Sequence, residues 1–340
     1  MHRSEVTVDL GALRRNVATL LRAAEGAEVW AVVKANAYGH GMVDAAGAAL
    51  GAGATGLCVA TIPEGLALRD EFRLERILVL GPASSSREVA HAREAGLELA
   101  IADEEIPEGV RVHLKLETGM HRYGLSELPA PPADVVGLMT HFATADTELD
   151  FARSQLERFE ELTRAHSHLT RHAANSAATL RLPESHLDAV RCGIAIYGLS
   201  PFHTDPADDG LEPVLSWQSF LAQVKQLQPG ESTGYGRRFV ADEPTWIGIV
   251  PVGYGDGFRR GLTGAEVRVG GELCRVVGTI SMDSFAVRLC RDLPVGTPVV
   301  LLGHGVLAES HARVAGTINY ELTCGVETGP LRARRTVVDG

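Results

Sequence analysis

Eight short apolar runs recur between residues 29 and 191, and amphipathic stretches separate most of them. They are VWAVVK (29–34), GLCVA (56–60), RILVL (76–80), LELAI (97–101), VHLKL (112–116), VVGLMTH (135–141), LTRHA (169–173) and LDAVR (187–191). Helical spacing shows at 41–50, 64–72, 86–95 and 151–165. Asp9 stands where it would cap a helix with apolar positions Leu10, Leu13, Val17, Leu20 and Leu21. Strands that are apolar along their whole length are buried on both faces, and helices between them make the sheet parallel. Eight such units in about 200 residues favour a closed (β/α)8 TIM barrel over an open doubly wound sheet.

The texture changes after residue 210. HTDPADDGLEP (203–213) reads as a polar linker, and VLSWQSFLAQVKQL, WIGIVPVG, AEVRVGGELCRVVGTISMDSFAVRL and TPVVLLG read as strands. Gly270-Gly271 lies between alternating runs and signals a hairpin. Only 311–323 (HARVAGTINYELT) has a helical look. The expected organisation is an N-terminal strand at 1–9 packed with the C-terminal domain, a barrel at 10–210, and a smaller, mostly β C-terminal domain at 211–340.

Composition removes several classes of function. Asp plus Glu, at 43, outnumber Lys plus Arg, at 32, for a net charge of -11. Such a chain suits no nucleic-acid partner, because phosphate attracts basic surfaces. The five cysteines form no C-x-x-C pair and no disulfide framework. MHRSEVTVDL lacks the apolar core of a signal peptide. The uncharged stretch 45–63 is broken by four glycines and reads as helix–turn–strand, not as a membrane span. The expected compartment is the cytoplasm.

Reactive side chains fall at the C-terminal ends of the barrel strands, the face on which this architecture builds its sites. Lys34 ends the first strand. Lys115 ends the fifth, with Arg122 in the loop beyond it. His141 ends the sixth, Asn175 and Ser176 follow the seventh, and Arg191, Gly193 and Ile194 close the eighth. On position alone Lys34 is either a buried ion-paired lysine or a Schiff-base lysine made nucleophilic by desolvation. His166, His168 and His172 cluster locally, but no carboxylate or cysteine accompanies them, so they read as surface histidines and not as a metal site. Gly253, Gly255 and Gly257 follow a strand but precede FRRGLTG instead of a helix, which fails the context of a dinucleotide loop.

The set AVVKANAYGHG, LKLETGMHRYG, THFATAD, HAANSAATL, VRCGIAIYGL, VPVGYGDG and SMD, in this order over nearly the whole chain, closely resembles the alanine racemase family. The resemblance implies a pyridoxal phosphate enzyme, a homodimer with sites shared between subunits, that converts L-alanine into D-alanine and back for peptidoglycan. It implies that Lys34 carries the cofactor and serves the D isomer, and that Tyr254 is the second base and serves the L isomer. A free tyrosine ionises at about pH 10; to act as a base it needs cationic or hydrogen-bonding neighbours, and His141 and Arg191 match the supporting network. Arg191 would face the cofactor's ring nitrogen. Because arginine only donates, that nitrogen would stay unprotonated. Tyr38, Ser176 with its neighbour Asn175, and the backbone N–H groups of Gly193 and Ile194 would hold the phosphate, since amides at a helix start are good anion donors. His141 would pack beside the ring. Arg122 and the Met282 backbone would meet the substrate carboxylate, and Lys115 would be carbamylated to orient Arg122.

The chain also departs from the family pattern. Glu117 stands where Asp is usual and His121 where Gly is usual. Thr279 replaces an arginine and Thr147 an acid; facing each other, they would leave a charged gate without either pole. The tail CGVETGPLRARR puts Thr328 near a place where some members set a tyrosine on the phosphate. Two rivals remain beside the narrow racemase: a broad-specificity amino-acid racemase of the same fold, and a non-catalytic cofactor-binding protein.

Overall fold

The structure, a computed structural model, describes residues 2–340. The chain divides into two compact units: Leu13–Phe202 with Ala207–Glu212, and the chain up to Ala12 with His203–Pro206 and Pro213–Gly340.

The first unit is a closed parallel barrel. After the N-terminal strand β1 (Glu5–Asp9), its strands are β2 (Glu28–Val32), β3 (Gly56–Val59), β4 (Arg76–Val79), β5 (Glu98–Ile101), β6 (Val112–Lys115), β7 (Val135–Met139), β8 (Thr170–His172) and β9 (Ala189–Cys192). All eight apolar runs supply a strand. β9 closes on β2, with Glu28 opposite Ala189 and Ala31 opposite Cys192. The helix Leu10–Ala23 starts at the predicted cap, where Asp9 Oδ1 accepts the Ala12 N–H at 3.0 Å. It buries Leu13, Val17 and Leu20 completely. A fully buried aliphatic side chain stabilises by about 1.5–3 kcal/mol. The stretch 45–63 runs through the helix Met42–Gly51, a turn and β3. No helix among the described residues is long and apolar enough to cross a membrane.

The second unit is built on a nine-stranded sheet. The run VLSWQSFLAQVKQL splits into β10 (Leu215–Phe220) and β11 (Gln223–Leu227). It does not continue as one strand, because the Leu221 and Ala222 N–H groups turn to Thr297 O and Ile249 O. A two-stranded pair follows, β12 (Ser232–Thr233) and β13 (Phe239–Val240), then β14 (Thr245–Val250), β15 (Glu266–Val269), β16 (Glu272–Val277), β17 (Phe285–Leu289), β18 (Pro298–Leu302) and β19 (Arg334–Val338). The order in the large sheet is β11-β14-β17-β16-β15-β18-β10-β1-β19. Gly270-Gly271 turns the β15–β16 hairpin, both glycines at positive φ. β1 pairs antiparallel with β10 and parallel with β19. The helical segment expected at 311–323 is two helices, Ala308–Ala315 and Asn319–Cys324. Gly316, at φ 65°, caps the first in the left-handed conformation and stops it.

Candidate active site

Lys34 lies two residues beyond the end of β2, where the chain leaves the sheet. The next four residues, Ala35, Asn36, Ala37 and Tyr38, all have φ between 52 and 55°. A left-handed turn costs L residues roughly 1–2 kcal/mol each, so it persists only where its surroundings over-determine it. Here they do. Glu64 Oε1 accepts the Ala35 N–H at 2.8 Å, and Asn36 Oδ1 accepts the Met42 N–H at 3.0 Å. His40 Nδ1 sits 2.9 Å from Ala37 O, and its ring stacks on Tyr197 at 4.5 Å. Glu64 is itself fixed by the Thr61 capping box of the helix Ile62–Glu71.

That turn sets Tyr38 against Gly193. A Cβ at Gly193 would lie 2.4 Å from the Tyr38 hydroxyl oxygen, so only glycine leaves room for the ring. Ser176 Oγ accepts the N–H groups of Gly193 at 2.9 Å and Ala195 at 3.3 Å, which leaves its own proton as the one to give. Ile194 opens the short 3-10 turn between them. Asn175 is used differently from its neighbour: its Oδ1 caps the helix Ser176–Arg181 through the Ala178 N–H at 3.0 Å, and so it fixes Ser176. In the variant Gly193→Ala the added methyl displaces Tyr38. Equilibrium dialysis is expected to show cofactor retention about ten-fold weaker or worse, a loss of about 1.4 kcal/mol, with the melting temperature nearly unchanged.

Arg191 is buried within the barrel. Its Nη1 donates to His172 Nδ1 at 2.6 Å and to His172 O at 2.9 Å. Its Nη2 donates to Thr140 O at 2.8 Å and Ala173 O at 3.1 Å, with His141 Nδ1 at 3.3 Å. Among the described residues, the guanidinium's hydrogen bonds all run from Nη1 and Nη2, so Nε–H is the donor held in reserve. Burial lowers its pKa to about 10, and the group stays cationic at neutral pH. His141 is pushed well below the ordinary histidine range, first by burial and then by the charges of Arg191, Arg122, Lys115 and Lys34. One neutral imidazole thus shares its surroundings with four predicted site cations. His172 corrects the sequence reading. It is not a surface histidine: it ends β8 with its ring fully buried, whereas His168 is exposed.

Lys115 ends β6, buried, with Nζ 5.5 Å from the centre of the Tyr123 ring. Burial, followed by the charge of Arg122, lowers its pKa to about 8. The two departures in the loop beyond it are accommodated. Burial works against the Glu117 charge, but the backbone N–H groups of Gly119, His121 and Met120 outweigh it and hold the carboxyl below its usual range. The longer acid therefore organises the loop that carries Arg122. His121 takes φ 51°, the left-handed conformation that a glycine adopts without cost.

In the second unit Tyr254 opens a one-turn 3-10 helix, Tyr254–Asp256. Its N–H donates to Ser281 O at 3.1 Å, and the Gly255 N–H donates to Met282 O at 2.9 Å. The VGYGDG and SMD turns are thus joined by backbone hydrogen bonds, and the glycines serve this junction. Asp256 is fully buried between Arg3 and Arg332, with Arg332 Nε at 2.8 Å; Arg332 also reaches Asp283 at 2.6 Å. The atypical tail is tied to both turns through that arginine. Tyr254 is 45% exposed and lines a cavity of about 470 Å³ with Tyr235, Arg260 and Thr279. Thr279 Oγ1 donates to Tyr235 O at 2.8 Å, turned into its own unit.

This donor set fits pyridoxal phosphate. A hydroxyl pair and open backbone flank Gly193 for a phosphate, a donor-only guanidinium keeps one N–H in reserve for a ring nitrogen, and a lysine stands at a strand end for a covalent link. Polar residues inside the barrel strands were the signal that sequence reasoning passed over: Glu98 in LELAI and His113 in VHLKL belong to the wall behind Arg191.

The comparisons agree along the chain. The model of the alanine racemase N-terminal domain matches residues 8–201, and that of the alanine racemase C-terminal domain matches 214–335. Alanine racemase of Lactiplantibacillus plantarum is 40% identical over 96% of both chains, and that of Symbiobacterium thermophilum 40% identical over 94% of this chain and 93% of its own. Among solved structures, the biosynthetic alanine racemase of Pseudomonas aeruginosa superposes with a TM-score of 0.93 at 36% identity, over 99% of this chain and 100% of that one. A second domain spanning 214–335 leaves no place for a non-catalytic single-barrel carrier. The chain belongs to the alanine racemase family, pyridoxal phosphate enzymes that interconvert L- and D-alanine.

Proposed function

We propose that racemisation here uses two bases from two chains of a cytoplasmic homodimer: Lys34 of one protomer and Tyr254 of the partner subunit, making D-alanine for peptidoglycan. The observation that carries this reading is the gathering of Lys34, Lys115, His141 and Arg191 beside the Tyr38–Ser176–Gly193 cradle. Bound pyridoxal phosphate supplies an electron sink that acidifies the substrate's α-hydrogen. The residues do the rest. Tyr38, Ser176 and the Ile194 N–H would anchor the phosphate, with the Gly193 N–H, given to Ser176 Oγ, fixing that hydroxyl toward it. Arg191, which only donates, would hold the ring nitrogen through Nε–H and leave it without a proton. Arg122 and the Met282 N–H fix the substrate carboxylate. Lys34 Nζ and the Tyr254 oxygen exchange a proton with opposite faces of the α-carbon. Exchange of that hydrogen with solvent deuterium, followed for both isomers, tests the scheme. Incorporation into only one isomer's product would sink it.

Lys115 has a neutral amine available as pH rises through about 8, and neutral amine is the form that attacks CO2. We therefore expect carbamate occupancy to increase with pH and with bicarbonate. Intact-mass spectra should show a gain of one CO2 that acidification removes and that Lys115→Met lacks. The Arg332 clamp carries a further expectation. Arg332→Met loosens both turns around Asp256, and kcat/KM should fall about ten-fold in both directions alike, with the α-deuterium isotope effect rising more for L-alanine than for D-alanine in steady-state assays.

The broader racemase stays in view because of the Thr279 cavity, where a short side chain stands in place of arginine. Comparable kcat/KM for alanine and for serine, lysine or arginine would establish it; a loss of about a hundred-fold or more on the large substrates would leave the narrow activity.

A further inference from the structure

The barrel interior holds a line of buried polar groups that the proton exchange does not use. From Arg191 Nη1 the line passes to His172 Nδ1 at 2.6 Å. It goes on from His172 Nε2 to His113 Nδ1 at 2.8 Å, and from His113 Nε2 to Glu98 Oε2 at 2.9 Å. His172, His113, Glu98 and Arg191 are 0, 1, 2 and 3% exposed. Glu98 opens β5 at the strands' N-terminal end, where Arg76 Nε at 3.4 Å and Arg111 Nε at 3.3 Å flank it. The ring of Trp30 packs on both histidines. Opposite His113, Gly137 leaves the space: a Cβ there would lie 2.1 Å from His113 Nδ1.

Only one arrangement of protons fits this line. A guanidinium only donates, so His172 Nδ1 must be bare and its proton must sit on Nε2. That proton points at His113 Nδ1, which must then be bare as well, with its own proton on Nε2 facing the carboxylate. A second proton on either ring would set N–H against N–H. The charged groups around the line agree. Burial and then Arg191 push His172 well below its usual pKa, with His113 and Arg76 adding to the effect. Burial also lowers His113, though Glu98 opposes it. Burial works against the Glu98 charge, but His113, Arg76 and Arg111 outweigh it and hold the carboxyl below its ordinary range.

We propose that Glu98 and His113 are positioning residues for Arg191. With His172 they form a one-way donor chain that orients the guanidinium and balances its charge with a carboxylate at the far end of the barrel. The chain ties down Nη1, the carbonyls of Thr140 and Ala173 tie down Nη2, and Nε–H is aimed by default. The carboxylate makes His172 Nδ1 a stronger acceptor and so moderates the positive field that Arg191 presents elsewhere. The consequence for catalysis rests on the reading that Arg191 faces the cofactor's ring nitrogen; the proton arrangement does not.

Nitrogen-15 NMR of histidine-labelled holoenzyme tests the arrangement, with assignments from the variants. His113 and His172 are expected as neutral Nε2–H tautomers that do not titrate from about pH 6 to 9, where a free histidine changes charge. An Nδ1–H or doubly protonated ring at either position overturns the chain. His113→Gln keeps an acceptor for His172 and a donor for Glu98, whereas His113→Leu keeps neither. The leucine variant should lose about ten-fold in kcat with KM little changed, and shift the cofactor's visible band. The glutamine variant should recover most of both. Glu98→Gln removes only the charge and should shift the band while leaving His172 in its tautomer. Equal behaviour of the folded leucine and glutamine variants overturns the positioning role. Arg191→Lys, read in parallel, separates the two layers: correct tautomers with a band that ignores Arg191→Lys would refute the placement of the ring against Arg191, and with it the chain's catalytic part.

Discussion

Lys34→Ala is expected to abolish racemisation in both directions and to remove the visible absorbance of the covalently held cofactor. Both effects come from one atom. Without Nζ there is no amine to join the cofactor and no base on that face of the α-carbon, so kcat should fall by roughly a thousand-fold or more, about 4 kcal/mol in the barrier. The phosphate cradle is untouched, so the cofactor should still bind, noncovalently, and be released by dialysis. Borohydride supplies a second reading: it should fix the cofactor to wild-type chain and leave the variant unlabelled. A variant that keeps the wild-type spectrum would show that another lysine makes the link.

Tyr254→Phe should spare the spectrum and cut turnover by about 10²- to 10⁴-fold, the usual worth of a positioned acid–base group. Because the two isomers are equal in free energy, kcat/KM should fall alike in both directions; the asymmetry should show in the substrate deuterium isotope effect, larger for L-alanine, whose proton Tyr254 would remove. Mixing the two inactive variants then tests whether sites are shared. A dimer of one Lys34→Ala chain and one Tyr254→Phe chain has one site lacking both groups and one site with both intact. Unfolded together and refolded, equal amounts should regain about a quarter of wild-type activity, since half of the dimers are mixed and half of their sites are complete. If each chain instead completes its own site, no activity returns.

The barrel was legible because its strands are buried on both faces, so a single polar residue inside an apolar run stands out. Lys34, Lys115 and Arg191 announce themselves in this way. Glu98 and His113 carry the same signal, yet they lie toward the N-terminal half of their strands, away from the end where chemistry was sought. His172 was misread for a different reason. It was grouped with its sequence neighbours His166 and His168, although the run LTRHA already placed it in a strand, whose burial inside the closed sheet sets it apart from them. The split at Leu221 and the stop at Gly316 were hidden because continuous apolar or helical texture says nothing about where neighbouring strands take over the backbone hydrogen bonds. Strand β19, rich in arginine and exposed at every position but Arg335, has no apolar face by which to be noticed; its partner β1 makes it a strand. The left-handed turn after Lys34 offered little warning either, since alanine, asparagine and tyrosine enter it only under tertiary constraint.

The place of β1 between β10 and β19 bears on how the molecule is made. Residues 5–9 leave the ribosome long before their hydrogen-bonding partners, residues 215–218 and 334–338. The whole barrel must be synthesised before the first of these edges is covered, and residues 334–338 before the second. Until then the inward-facing Val6 and Val8 sit on an open strand, the kind of template that recruits a neighbouring chain. Cutting the chain before residue 334 would leave that edge open for good. We expect nascent and truncated forms that lack β19 to be far more prone to aggregate than the chain that carries it, and β19 to act as the closing stitch of the sheet.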